Sequence, residues 1–307
     1  MPARRRSPRS VRLLAPPAVL LAAALGAATL TGCSDPPPSA DGPLRVLASF
    51  YPLKFVAERV GGGRVTVGNL TPPGAEPHDL ELAPQDVAAV SDAALVLSLS
   101  GFQPAVDDAI ANTSATALDA AESGRLDLTS GDGGGVDPHF WLDPRRLADV
   151  ADAVAARLGV LDPAGATAYA ANAADLRDDL EALDEEFATG LATCASRQLV
   201  TSHEAFGYLA QRYDLRQVGV VGLGPEAEPT AADLARIATF VADEGVTTVF
   251  SETLVSPAVA ETVARESGAT TAVLDPVEGL VDDTGNDDYL TVMRANLASL
   301  RTGLGCQ

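Results

Sequence analysis

The sequence predicts an α/β protein with two lobes, each with a mostly parallel four-stranded sheet flanked by helices, joined by one long rigid helix. Two observations predict this class. Short apolar segments alternate with helical patterns in both halves of the chain, which is typical of parallel sheets covered on both faces. Between the halves, from about 162 to 192, lies a helical segment whose one proline and two glycines are all near its ends.

Residues 1–32 have the pattern of a secretory signal peptide. Five arginines and no acidic residue accompany an apolar stretch that ends in Leu30-Thr31-Gly32-Cys33. This tetrapeptide resembles a bacterial lipobox, so Cys33 is the expected lipidation site. The alternative is an uncleaved transmembrane anchor, because the apolar stretch approaches spanning length. Residues 33–43 are mostly proline- and serine-rich and are expected to form a flexible stalk next to the membrane.

The N-terminal lobe is expected to span 44–161. Its predicted strands are Leu44–Ser49, Val65–Leu70, Ala94–Leu99 and Ala115–Leu118, and its predicted helices cover 52–61, 84–92, 103–111 and 145–158. Pro84 and Pro104 mark the starts of two of these helices, because proline is favoured in the first turn.

The linking helix is expected to span 162–193. Its apolar residues recur at helical spacing, and they are Leu176, Leu180, Leu183, Phe187 and Leu191. About 30 residues at about 1.5 Å each give roughly 45 Å, which is long enough to span a two-lobed protein. A flexible linker would instead be rich in glycine and serine.

The C-terminal lobe is expected to span 194–307. Its predicted strands are Gln198–Ser202, Gln217–Val221, Thr247–Ser251 and Thr271–Leu274, and its predicted helices cover 204–213, 230–244, 256–267 and 286–302. Thr230, followed three residues later by Asp233, predicts a capped helix start.

The charge balance is strongly acidic. Without residues 1–32, 16 basic residues face 42 acidic ones, a net charge of −26. This excludes nucleic acid and anionic lipid surfaces as expected partners.

Lipidation of Cys33 leaves Cys194 and Cys306 as an even pair in an oxidising compartment. We expect a disulfide between them, with two free buried thiols as the alternative.

The chain has three histidines, His78, His139 and His203, each within two residues of a carboxylate in a predicted loop or strand end. Ligands collect at the carboxyl ends of parallel strands, where His203 and Asp275 both lie. Singly, such residues are more often structural, but together they predict a closed metal site of three nitrogens and one carboxylate.

Several neighbours are close enough in sequence to orient these ligands. The carboxylates are Glu76, Asp79, Asp143, Glu204 and Glu252, of which Glu252 is favoured because it ends a strand on the same sheet edge. The alternative is that each is a solvated or capping carboxylate. Phe140 and Trp141 would exclude water from the site, or belong to the ordinary core.

From about Leu44 onward the chain resembles the cluster A-I metal-binding lipoproteins, the solute-binding components of zinc/manganese ABC transporters. The resemblance rests on Gly74-Ala75-Glu76-Pro77-His78-Asp79 with Pro84-Gln85-Asp86, Asp137-Pro138-His139-Phe140-Trp141-Leu142-Asp143-Pro144, Thr201-Ser202-His203-Glu204-Ala205-Phe206-Gly207-Tyr208, and Leu274-Asp275-Pro276. It implies two α/β lobes joined by one helix, with metal bound by His78, His139, His203 and Asp275.

The resemblance also bears on the metal. Family members with a third histidine often bind zinc, whereas those with glutamate there tend towards manganese, so His203 favours Zn²⁺ with Mn²⁺ as the alternative. Many zinc members have a histidine-rich loop before the second ligand, but Ser123–Val136 contains no histidine. The contribution of such a loop to metal capture is expected to be absent, or to be replaced by Asp127 and Asp132.

The sequence thus predicts a non-enzymatic receptor, lipid-anchored through Cys33 to the outer face of a bacterial membrane. It would be a monomer that delivers zinc to an ABC transporter permease, with an affinity that falls below about pH 6.5. A zinc hydrolase with an open three-histidine site is the alternative, with Glu204 or Glu252 as base, although position 207 is glycine and no HExxH motif forms. An adhesion role is a third alternative.

Overall fold

The computed structural model describes residues 42–130, 135–281 and 287–307. The predicted signal peptide, Cys33, Asp132 and most of the predicted stalk lie outside these residues. Within the described ranges, no helix is both long and apolar enough to cross a membrane.

The first half of the chain forms a parallel sheet in the order β2-β1-β3-β4. Its strands are β1 (Leu44–Ala48), β2 (Val65–Asn69), β3 (Leu95–Ser98) and β4 (Ala117–Asp119), and its helices are α1 (Tyr51–Gly61), α2 (Pro84–Asp92), α3 (Pro104–Ala111), α4 (Ala120–Ser123) and α5 (Pro144–Leu161). Prolines begin α2, α3 and α5, as expected of first-turn positions.

The second half repeats this topology in the order β6-β5-β7-β8, again entirely parallel. Its strands are β5 (Gln198–Thr201), β6 (Arg216–Gly219), β7 (Thr248–Ser251) and β8 (Thr270–Val273), and its helices are α7 (Gly207–Arg212), α8 (Ala231–Asp243), α9 (Ala258–Ser267) and α10 (Tyr289–Gly303). Thr230 and Asp233 cap α8 reciprocally, as predicted. The two predicted four-stranded sheets are confirmed.

Between the sheets runs α6 (Ala166–Gly190), a helix of 25 residues and therefore about 37 Å long. It starts later than predicted because Asp162 first accepts hydrogen bonds from Arg64 and Tyr169 and closes a turn at Gly165. Its buried face belongs to one apolar core that extends into both lobes. Each large apolar side chain buried there contributes about 1.5–3 kcal/mol.

Asp184 on α6 connects α5 and α7, the helices that follow His139 and His203 in the chain. Its carboxylate accepts hydrogen bonds from Arg145 of α5 at 2.8 Å and from Arg212 of α7 at 2.7 Å, and from the Tyr213 hydroxyl at 3.1 Å. Burial favours the neutral acid, but these donors outweigh it and lower the pKa of Asp184.

We expect Asp184→Ala to lower the free energy of unfolding by about 1.5–3 kcal/mol, because it removes the buried carboxylate that accepts hydrogen bonds from two partly exposed arginines. Denaturant unfolding measures this change. Asp178→Ala, on the exposed side of the same helix, is the control and should change the free energy by less than about 0.5 kcal/mol. An equal effect of both substitutions would contradict the role given to Asp184.

Cys194 and Cys306 form a disulfide that joins the segment after α6 to the C-terminus. The predicted pairing is therefore confirmed. The bridge links residues 112 positions apart, and closing a loop of this size is worth about 4–5 kcal/mol in the chain-entropy model.

Candidate metal centre

The carboxyl ends of the two sheets face a common space between the lobes. His78 lies in the loop after β2, and His139 lies in the segment between β4 and α5. His203 follows β5 directly, and Glu278 lies in the loop after β8. Because strands of parallel sheets end at the same edge, residues distant in sequence meet there.

Among the described residues, one group of potential metal donors stands together, formed by His78, His139, His203 and Glu278. One donor atom from each lies within 4.8 Å of all the others. Glu278 Oε1 is 3.5 Å from His78 Nε2, 3.0 Å from His139 Nε2 and 3.7 Å from His203 Nε2. Three imidazole nitrogens around one carboxylate oxygen form a donor set suited to a tetrahedral metal ion.

Two of the histidines are oriented by carboxylates. His139 Nδ1 lies 2.7 Å from Asp137 Oδ1, which also accepts the His139 backbone N–H. His203 Nδ1 is hydrogen-bonded to Glu252 Oε2, and Glu252 Oε1 accepts the His203 backbone N–H at 3.0 Å. A carboxylate at Nδ1 holds a proton on that nitrogen and directs Nε2 at the metal position.

The electrostatics of the centre follow from this packing. Burial alone would lower the pKa of His203, but Glu252 and Glu278 reverse this and raise it to about 10. The pKa of His139 is likewise raised by Asp137 and Glu278 against the effect of burial. Burial lowers the pKa of His78. The three histidines overcome the burial of Glu278 and hold its pKa well below the usual value.

The structure places Glu278, rather than the predicted Asp275, next to the three histidines. Asp275 Oδ1 accepts the Val277 backbone N–H at 2.7 Å, and the Asp275 backbone is hydrogen-bonded to the Asn296 amide of α10. Asp275 therefore shapes a turn, and it is not a member of the donor cluster. Val277 has a φ of +57°, a conformation that β-branched residues rarely adopt. This turn carries the chain to Glu278.

Neither Glu278 nor Asp137 was predicted from the sequence. The sequence signal for both residues is their short distance along the chain from a predicted ligand. Glu278 is three residues beyond Asp275, and Asp137 is two residues before His139. Acidic residues at such positions are common in turns, so spacing alone did not single them out.

Of the other predicted carboxylates, Glu252 orients His203, as described. Glu76 contacts the backbone of the His78 loop, and burial followed by the charge of Glu278 raises the pKa of Glu76 to about 7. Glu204 accepts the Ser130 hydroxyl at 2.7 Å and so connects the two lobes beside the centre. Asp143 caps α5, and Asp79 is exposed on the His78 loop.

Aromatic rings line the apolar side of the centre. Trp141 lies 5.2 Å from the His139 ring and Phe102 lies 4.6 Å from the His78 ring, measured between centroids. The Trp141 indole donates to the Pro276 carbonyl, which ties the N-terminal lobe to the loop of Glu278. Phe140 instead packs against Gly124, so closely that a Cβ added to Gly124 would lie 2.8 Å from the Phe140 ring. Trp141 thus borders the site, whereas Phe140 belongs to the core.

The histidine-free loop offers little to a metal in its described part. Asp127 pairs with Arg146 at 3.0 Å, and the Arg146 guanidinium also stacks 4.5 Å from the Tyr208 ring centroid. Asp127 therefore anchors the loop, and Asp132 lies outside the described residues.

Comparison with known proteins gives a consistent result. The family model described as zinc-uptake complex component A, periplasmic, matches residues 46–303. The high-affinity zinc uptake system protein ZnuA of Bacillus subtilis (strain 168) is 31% identical over 305 residues, which cover 93% of this chain and 94% of that protein. The zinc-binding lipoprotein AdcA of Streptococcus pneumoniae (TIGR4) is 33% identical over 300 residues, 92% of this chain. This chain spans 60% of the length of that AdcA.

Two solved structures share the architecture. The Zn(II)-bound ZnuA-like domain of Streptococcus pneumoniae AdcA has a TM-score of 0.74 and 31% identity, covering 86% of this chain and 99% of that one. The laminin-binding protein Lmb of Streptococcus agalactiae, described as bifunctional with adhesin and metal transporting activity, has a TM-score of 0.77 and 33% identity. That alignment covers 85% of this chain and 99% of Lmb. With a family match across most of its length and the same two-sheet architecture, this chain belongs to the family of periplasmic zinc-uptake complex component A.

Proposed function

We propose that this protein is an extracytoplasmic receptor that captures zinc and delivers it to an ABC transporter permease. The observation that carries the proposal is the buried cluster of His78, His139, His203 and Glu278, which presents four donor atoms within 4.8 Å. The names of the Bacillus subtilis and Streptococcus pneumoniae relatives, which describe zinc uptake and zinc binding, support the same function.

The donor set supports zinc over manganese. Three imidazoles and one carboxylate suit tetrahedral Zn²⁺, whereas Mn²⁺ prefers oxygen-rich and more highly coordinated sites. His78 Nε2 and His203 Nε2 are buried, and neither has a hydrogen-bond partner among the described residues. A bound metal would satisfy both nitrogens.

A zinc hydrolase needs an open coordination position for water. Glu278 supplies a fourth protein donor where that water would bind. Glu252 and Glu204, the predicted bases, are hydrogen-bonded to His203 and Ser130. These contacts favour a closed receptor site over a catalytic one.

The remaining parts of the proposal concern attachment and organisation. We propose that lipidation of Cys33 tethers the chain to the outer face of the membrane and that residues 33–43 act as a stalk. Residues 44–161 and 194–307 would serve as the two lobes and 162–193 as their connection, in a monomer.

The test is a competition titration of the metal-free full chain with Zn²⁺ and Mn²⁺, combined with assays of ester and peptide hydrolysis. We expect one zinc per chain, tighter binding of zinc than of manganese, and no metal-dependent turnover. A preference for manganese would overturn the choice of metal. Metal-dependent hydrolysis would overturn the receptor itself.

A further inference from the structure

The two carboxylate oxygens of Glu76 have different surroundings. Oε2 accepts the backbone N–H groups of His78 at 2.9 Å and of Asp79 at 3.4 Å. Oε1 is buried, lies 4.0 Å from His78 Nε2, and has no hydrogen-bond donor in the part of the chain that the structure describes. One oxygen therefore folds the loop, and the other is left without a partner beside the metal centre.

A buried carboxylate oxygen without a donor is costly, and native structures rarely contain one without a reason. The nearby Glu278 carboxylate adds like charge. Both costs would be offset by a cation next to Glu76 Oε1. His78 Nε2, 4.0 Å away, is a donor atom that such a cation would share, and it too lacks a hydrogen-bond partner among the described residues.

Glu76 and His78 are also on the accessible side of the centre. Their side chains are 12% and 15% exposed, whereas those of His139, His203 and Glu278 are at most 3% exposed. The Glu76 Oε1 and His78 Nε2 atoms are themselves buried, but their side chains reach the surface. They therefore mark the side of the centre from which an ion would enter.

We propose that Glu76 Oε1 and His78 Nε2 form an outer loading position through which zinc enters and leaves the four-donor centre. This inference rests on the proposed zinc-binding function. His78 belongs to both positions, because its Nε2 lies 4.0 Å from Glu76 Oε1 and 3.5 Å from Glu278 Oε1. Zinc passes inward when its bond to Glu76 breaks as a bond to Glu278 forms, while His78 remains bound.

The test compares Glu76→Gln with Asp79→Asn in the full chain. The glutamine oxygen can still accept the two loop N–H groups, so Glu76→Gln keeps the loop contacts and removes only the metal donor. Asp79→Asn removes the same charge from an exposed position on the same loop, and it controls for the general electrostatic field. Zinc loading is followed by stopped-flow mixing, and removal is followed with excess chelator.

We expect Glu76→Gln to slow loading and removal by about tenfold each, because it removes a metal contact at the barrier that zinc crosses in both directions. The Kd for zinc should stay unchanged, because it is the ratio of the removal rate to the loading rate. A residue that acts only on the entry pathway changes these two rates by the same factor. Wild-type rates in Glu76→Gln, or equal slowing by Asp79→Asn, would overturn the loading position. Faster removal of zinc together with a higher Kd would also overturn it, because that result would mean that Glu76 binds zinc in the final site. If the wild type binds no zinc, the proposed function fails instead.

Discussion

Replacing Glu278 with glutamine should weaken zinc binding by at least about a hundredfold. We propose its carboxylate as the fourth donor, and loss even of groups that only orient ligands typically costs about 10–100-fold in metal affinity. Glu278 Oε1 lies within 3.7 Å of all three histidine Nε2 atoms. A competition titration of Glu278→Gln with zinc measures the loss.

Asp275→Asn is the matched control, since it makes the same chemical change three residues earlier in the same loop. Asp275 Oδ1 accepts the Val277 N–H, and an asparagine oxygen can keep this bond. We expect its zinc affinity to stay near that of the wild type. Loss of binding in Asp275→Asn, with retention in Glu278→Gln, would contradict the donor set described above.

Zinc binding should release protons at neutral pH, and the affinity should fall steeply as the pH is lowered. The pKa of metal-free His203 is raised to about 10, mainly through Glu252. His203 is therefore protonated at pH 7.5, and zinc must displace a proton from it. Each displaced proton weakens binding about tenfold per pH unit. We expect a Kd at pH 6 that is at least about a hundredfold higher than at pH 8.

Calorimetry in two buffers with different ionisation enthalpies counts the released protons directly. At least about one proton per zinc should appear at pH 7.5. Glu252→Gln removes the negative charge beside His203 and should reduce this number. The absence of proton release, together with equal affinities at pH 8 and pH 6, would contradict this description of the metal-free centre.

Much of the architecture was predictable because it depends on local patterns. The boundaries of the eight strands lie within two residues of those predicted, since short apolar segments between turn signals mark buried parallel strands. The short helix α4 was missed because four residues carry no detectable periodicity. Helix α7 starts at Gly207 rather than near 204, because residues 203–206 first form the turn that positions His203.

The site was predictable only as far as the rule for strand ends applies. That rule placed His203 at the edge of the second sheet, and the structure brings His78 and His139 of the first lobe next to it. It also selected Asp275, the first residue after Leu274, whereas the conformation of Val277 carries the chain three residues further to Glu278. Such a turn depends on packing against Asn296 of α10, and this tertiary contact has no signature in the loop sequence.

The most direct measurement is a crystal structure of the zinc-loaded protein with anomalous diffraction recorded at the zinc absorption edge. We expect one strong anomalous peak at about 2.0–2.2 Å from the Nε2 atoms of His78, His139 and His203 and from a carboxylate oxygen of Glu278. A peak bound by Asp275 in place of Glu278, or one with a water as its fourth ligand, would contradict the closed four-donor centre.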